Sequence, residues 1–193
     1  MYLISAYFDE ESARTIRRYI EKITERTGNR FMIDNNVPPH MTISSIEARS
    51  VDDLLPAFAS LEGTSHEGAS LEGKSLDGAS LAGRLKGGQI KIVSTGQLLP
   101  YVFYLTPVLN EYLMEMSECI YNAFKDVPDT SISRFYRPGS WLPHITIAKT
   151  LSKEQMAAAF EVMQNNFTIF DAKIVRLGLS RVNPHEDVKV MEL

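Results

Sequence analysis

The 193-residue chain is 44% hydrophobic and 23% charged, with 20 Lys and Arg against 24 Asp and Glu and a net charge of −4. That is an ordinary globular composition, long enough to bury a core, and its acidic balance argues against a broad basic surface for duplex DNA or long RNA. The single cysteine, Cys119, excludes an intrachain disulfide and points to a reducing, cytoplasmic setting. No apolar stretch approaches the roughly 20 residues of a membrane span, so no membrane association is expected.

Tyr2 to Phe8 reads as a strand rich in aromatic and branched residues. The run is too short for a signal peptide and lacks its basic lead. Asp9 is a helix N-cap followed by two glutamates that suit the positive helix end. Ala13, Ile16, Ile20 and Ile23 recur at helical spacing, and Gly28 marks the stop. Residues 29 to 39 form a loop ending in Pro38-Pro39. A strand from His40 follows, then a short helix capped by Ser50 and shortened or kinked by Pro56.

Leu61 to Gly83 differs from the rest of the chain. Glycines at 63, 68, 73, 78 and 83 set a five-residue period with serines between them. It is too short to stack into a solenoid and reads as a flexible excursion, whose removal should leave function intact. Two strands come next, Gln89 to Thr95 and Leu98 to Leu105, with a turn at Gly96. Thr106 caps a helix with Pro107 in its first position, buried through Leu109, Tyr112, Leu113, Met116, Ile120 and Phe124. A long connection, 126 to 140, leads to a second strand beginning at Pro143-His144. Ser152-Lys153-Glu154-Gln155 is a capping box opening another helix. One or two strands span Phe167 to Val182, and Val188 to Leu193 reads as the last strand.

The stretches Pro39-His40-Met41-Thr42-Ile43 and Pro143-His144-Ile145-Thr146-Ile147 share the pattern Pro-His-apolar-Thr-Ile, with histidines 104 positions apart (144 − 40). In a strand, alternate side chains share a face, so each copy shows an imidazole and a hydroxyl on one side and apolar groups on the other. The flanking elements repeat in the same order. This predicts an α+β, bilobal duplicated fold: two antiparallel sheets with flanking helices around a central groove. Lobe one would take about 1–97 and lobe two about 98–182, with the tail strand 183–193 free to join either.

Two imidazoles suit a displacement at phosphorus, one as base and one as acid. Threonine hydroxyls can donate to the non-bridging oxygens where charge concentrates. Two histidines without a carboxylate or cysteine at ligand spacing make a poor zinc set, so no metal and no other cofactor is expected. Tyr136, Trp141 and Phe135 are candidates to stack on a base, with a core role equally open for Trp141 and favoured for Phe135. Arg134 and Arg137 are candidates for a phosphate or sugar contact. Ser44 should share the face of His40 and Thr42, Lys149 should face away, and His66 and His185 read as bystanders.

At these residues the chain resembles the 2H phosphoesterases, which include proteins named 2′-5′ RNA ligases and RNA 2′,3′-cyclic phosphodiesterases. The resemblance rests on His40-Met41-Thr42-Ile43 and His144-Ile145-Thr146-Ile147 and covers nearly the whole chain except the repeat. It implies metal-independent chemistry on cyclic phosphates or 2′-5′ linkages in RNA or nucleotides. His40 and His144 would be the acid–base pair, and Thr42 and Thr146 would hold the phosphate. The expected partner is a small nucleotide or RNA end, acted on by a monomer. A module that binds such ends without turnover, or one that ligates them, are the other readings.

Overall fold

The structure is a computed structural model that describes residues 1–62, 83, 85–98, 100–182 and 185–193. The glycine–serine repeat, apart from its ends, and His66 lie outside the described residues. Eight strands appear among them: β1 (Tyr2–Phe8), β2 (His40–Glu47), β3 (Gln89–Leu98), β4 (Val102–Pro107), β5 (Ser131–Ile132), β6 (Ile145–Ala148), β7 (Phe170–Arg181) and β8 (Glu186–Glu192). The helices are α1 (Glu10–Thr27), α2 (Phe31–Asp34), α3 (Leu55–Ser60), α4 (Glu111–Phe124) and α5 (Lys153–Asn166).

The helix ends follow their sequence signals. Asp9 accepts a hydrogen bond from the Ser12 amide at 3.0 Å, and Gly28 closes α1 in the left-handed region at φ 70°. Ser152 and Gln155 form the reciprocal capping box of α5. Other boundaries depart from expectation: Ser50 does not cap α3, which begins at Leu55 behind Leu54 with no side-chain cap, and Ser50 Oγ accepts instead from the Asp52 amide. Thr106 and Pro107 remain in β4, where Pro107 pairs with Ile92, and α4 starts later because the Asn110 side chain accepts from the Leu113 amide at 3.0 Å. Pro56 sits in the first turn of α3, where its missing N–H costs nothing, instead of kinking it.

Gly96 is not a turn. It lies inside β3 directly opposite Tyr104. A Cβ there would stand 2.4 Å from the Tyr104 ring, so the glycine lets a cross-strand tyrosine lie flat over the backbone.

Where the sequence predicts two separate sheets, the described strands join into one antiparallel sheet in the order β1-β2-β6-β4-β3-β7-β8, with β1 also paired to β7. The path from β1 round to β7 therefore returns to β1. Two joints close it. β2 and β6 meet at Met41 and Ile145, and β7 pairs through Phe170–Lys173 with β3 and further along with β1 and β8. Helices interleave in the same way: α1 packs on β6 and α5, and α4 packs on β2 and α3. Met41, Ile43, Ile145 and Ile147 are at most 1% exposed, so each His-x-Thr strand drives its apolar face into this core. Burial of four such side chains, at about 1.5–3 kcal/mol each, fixes which way the histidines face.

Candidate active site

The β2–β6 joint builds the site. Met41 and Ile145 are directly opposed in an antiparallel pair. One step along that register in either direction sets His40 across from Thr146 and Thr42 across from His144. All four line a single cavity of about 790 Å³.

Each imidazole is oriented by its own backbone. His40 Nδ1 lies 2.8 Å from the Pro38 carbonyl oxygen, and His144 Nδ1 lies 2.9 Å from that of Leu142. A carbonyl only accepts, so in both rings Nδ1 carries the hydrogen and donates. Nε2 is then the free nitrogen of each neutral ring. The two acceptors occupy the same place relative to their histidines, two residues before.

The electrostatics of the pair are unequal. Burial takes the His40 pKa from 6.5 down to about 4; the Pro38 carbonyl and Asp187 oppose the shift, while His185 and His144 add to it. His144 is also lowered, by burial, against the pull of the Leu142 carbonyl. His40 is therefore the more firmly neutral of the two at pH 7. Each ring also has a tyrosine beside it: Tyr7 stands 6.3 Å from His40 and Tyr104 stands 5.4 Å from His144, centroid to centroid.

His185, which reads as a turn residue in sequence, is in the same cavity. Its ring stacks on His40 with centroids 5.4 Å apart and planes at 28°. Lys149 also lines the cavity. β6 stops at Ala148 and Thr150 takes a positive φ of 60°, so strand alternation no longer governs where Lys149 points. Its Nζ lies 5.5 Å from the Phe31 ring centroid.

Ser44 does not share the face of Thr42. The β1–β2 register slips so that Ile4 opposes Ser44 and Ser5 opposes Thr42, leaving Ile43 as an extra residue. The bulge turns the following side chains over. Ser45 reaches the cavity in place of Ser44, whose Oγ is buried with no hydrogen-bond partner among the described residues.

Of the residues before the second motif, Phe135 and Tyr136 line the cavity. Phe135 is 64% exposed and so is not the core residue the sequence favours. Arg134 and Arg137 are not among the lining residues, and the Arg134 guanidinium lies 4.8 Å from the Phe135 ring centroid. Trp141 is buried and its Nε1 donates to the Thr42 carbonyl at 3.0 Å. It thus ties the segment before His144 to the strand that carries the other motif. Among the described residues no group of three or more His, Cys, Asp or Glu is placed to hold a metal ion, and no helix is long and apolar enough to cross a membrane.

A family model described as the 2'-5' RNA ligase superfamily matches residues 80–186. The matched span holds the second motif, Tyr136, Lys149 and His185; the first motif lies before it. No curated protein matches the chain.

Proposed function

The chain belongs to the 2'-5' RNA ligase superfamily, and on that premise we propose that it is a phosphodiesterase that opens cyclic phosphates, either 2′,3′-cyclic RNA ends or small cyclic nucleotides. The observation that carries this reading is the pair of imidazoles, one from β2 and one from β6, lining one cavity with the same ring nitrogen tied to backbone.

In this reading phosphorus sits between the rings. His40, held neutral, takes a proton on Nε2 from water as the water oxygen bonds to phosphorus. His144, protonated on Nε2, gives that proton to the 2′ or 3′ oxygen as its bond to phosphorus breaks. Water adds across the ring and a phosphomonoester leaves. The two histidines have exchanged protonation states, and solvent resets them. Thr42 and Thr146 hydroxyls donate to the non-bridging oxygens as charge builds there. Each proton transfer is worth roughly 10²–10⁴-fold in rate, and neither needs a metal.

A cavity of about 790 Å³ is in the size range of small-molecule sites, which favours a nucleotide or a chain end over long RNA. Its apolar residues include Phe31, Met32 and Val37 as well as Phe135, Tyr136 and Leu142, and Tyr136 and Phe135 are our candidates to stack on a base. Arg134, Arg137 and Trp141 would act from outside the cavity lining. We also read the chain as two equivalent halves, because the carbonyl that fixes each histidine recurs with the motif.

The test is product analysis on 2′,3′-cyclic nucleotides, cyclic-ended RNAs and 2′-5′ oligonucleotides. A 2′- or 3′-phosphomonoester is the expected product. Binding without turnover across the whole panel would overturn the reading in favour of a binding module, and joining of ends would assign ligation to the same groups.

A further inference from the structure

His185 is the third imidazole of the cavity, and it comes from an element that neither motif contains. It stands at the start of the β7–β8 hairpin's return strand. Its Nε2 lies 3.0 Å from the Tyr7 hydroxyl. That hydroxyl donates its only hydrogen to Asp187 Oδ1. The Tyr7 oxygen must then accept from His185, so His185 carries a hydrogen on Nε2. Asp187 Oδ1 is also 3.6 Å from His185 Nε2.

The surroundings hold this cluster in place. Tyr7 pairs across β1–β2 with His40 itself. Arg176 lies over the Tyr7 ring at 5.4 Å. Gly178 leaves room for the ring: a Cβ there would stand 2.5 Å from Tyr7 Cε2 and 3.2 Å from Asp187 Oδ1. Burial raises the Tyr7 pKa, and hydrogen bonding and charge from Asp187 add to it, so the phenol stays protonated. Burial opposes ionisation of Asp187, yet its hydrogen bonds to His185 and Tyr7, with the charges of His185 and Arg176, hold the carboxyl below its ordinary value.

We propose that His185, clamped by Tyr7 and Asp187, is a positioning residue for His40: its stacked ring fixes the plane of the His40 imidazole and keeps solvent off one face. His144 has no such partner among the described residues, where a tyrosine alone lies edge-on against it. The asymmetry fits unequal roles for two otherwise equivalent histidines, and it rests on the catalytic reading above.

Among the described residues, the titratable and charged groups beside His40 are Tyr7 on β1, His185 and Asp187 on the last hairpin and His144 across the β2–β6 joint; Arg176 on β7 lies behind them over the Tyr7 ring, and Lys149 lines the same cavity. The experiment compares the unaltered protein with His185→Ala and with His185→Gln, which keeps an N–H for Tyr7. Imidazole nitrogen shifts by NMR read the tautomer and titration of His40 whether or not a substrate is turned over. Kinetics on a 2′,3′-cyclic nucleotide read kcat and KM separately. The alanine variant is expected to raise the His40 titration midpoint and lower kcat about 10-fold or more, part of the roughly 10²–10⁴-fold that a general base supplies, with KM little changed. The glutamine variant should recover part of the loss. Unchanged His40 titration in both variants, or a loss confined to KM, overturns the proposal. Absence of turnover in the unaltered protein would instead fell the catalytic reading and leave the NMR result to decide the His185 contact. Should the alanine variant fail to fold, the glutamine variant alone decides by the same two readouts.

Discussion

The pH response of His40 is the sharpest test of the site. Its ring titrates near 6.5 when unfolded and at about 4 in the native state, where burial, with His185 and His144 facing it, disfavours the charged form. The native pKa is the lower one, so between these two values the unfolded chain binds more protons. Stability therefore rises with pH through that window, is complete above 6.5, and is lost as pH falls toward 4. At 1.36 kcal/mol per pH unit, the interval from 6.5 to about 4 amounts to about 3 kcal/mol. That is an upper limit, because the cavity side of the ring meets solvent. The perturbation is His40→Asn, and the assay is urea unfolding of both proteins at a series of pH values. The stability difference between them should change across the window by up to about 3 kcal/mol, while groups that do not face His40 contribute equally to both and drop out. In kcat/KM the acidic limb should lie well below 6.5. A native His40 titrating at or above 6.5, or a stability difference flat with pH, would refute the reasoning.

His40→Ala and His144→Ala should each cost roughly 10²–10⁴-fold in turnover with unfolding still cooperative; near-normal rates in both would end the catalytic reading. Because His144 is lowered by burial, the basic limb of kcat/KM should fall below its ordinary value and move up in kcat, when an anionic substrate sits beside it; coincident basic limbs would contradict that. Trp141→Phe keeps an aromatic ring but strips the donor from the Thr42 carbonyl, and should cost about 1–3 kcal/mol in urea unfolding; a cost near zero would mean that this carbonyl is satisfied otherwise. Turnover should survive EDTA, and loss restored by a divalent cation would remove the metal-free part of the mechanism.

The two motif strands were legible because their information is local. Alternation within five residues puts Met41 and Ile145 on one face and the imidazoles on the other, and the repeat of the pattern links the two copies. The helix caps at Asp9, Gly28 and Ser152 were legible for the same reason. Gly96 was not, since an isolated glycine between apolar runs reads as a turn when the tyrosine it accommodates belongs to the next strand. Ser44 and Lys149 escape the pattern because alternation assumes an unbroken strand, and a bulge at Ile43 and a stop at Ala148 each break it. His185 carries no local signal. Its meaning depends on a hairpin folding back beside β1, which brings it to a histidine 145 positions earlier (185 − 40), and no periodicity records that. The closed path of strands was also hidden, because β3 and β7 each find partners outside their own half of the chain.

That exchange of partners bears on how the protein can be taken apart. A nick between β3 and β4 would leave an amino-terminal piece whose β3 has lost β4 and β7, and a carboxy-terminal piece whose β7 has lost β1. Neither piece retains a finished hydrophobic interior, so each alone exposes open sheet margins. Mixed, they can recover the native contacts only by reassociating, and since one piece supplies residue 40 and the other residue 144, regained turnover would report complementation of the two fragments.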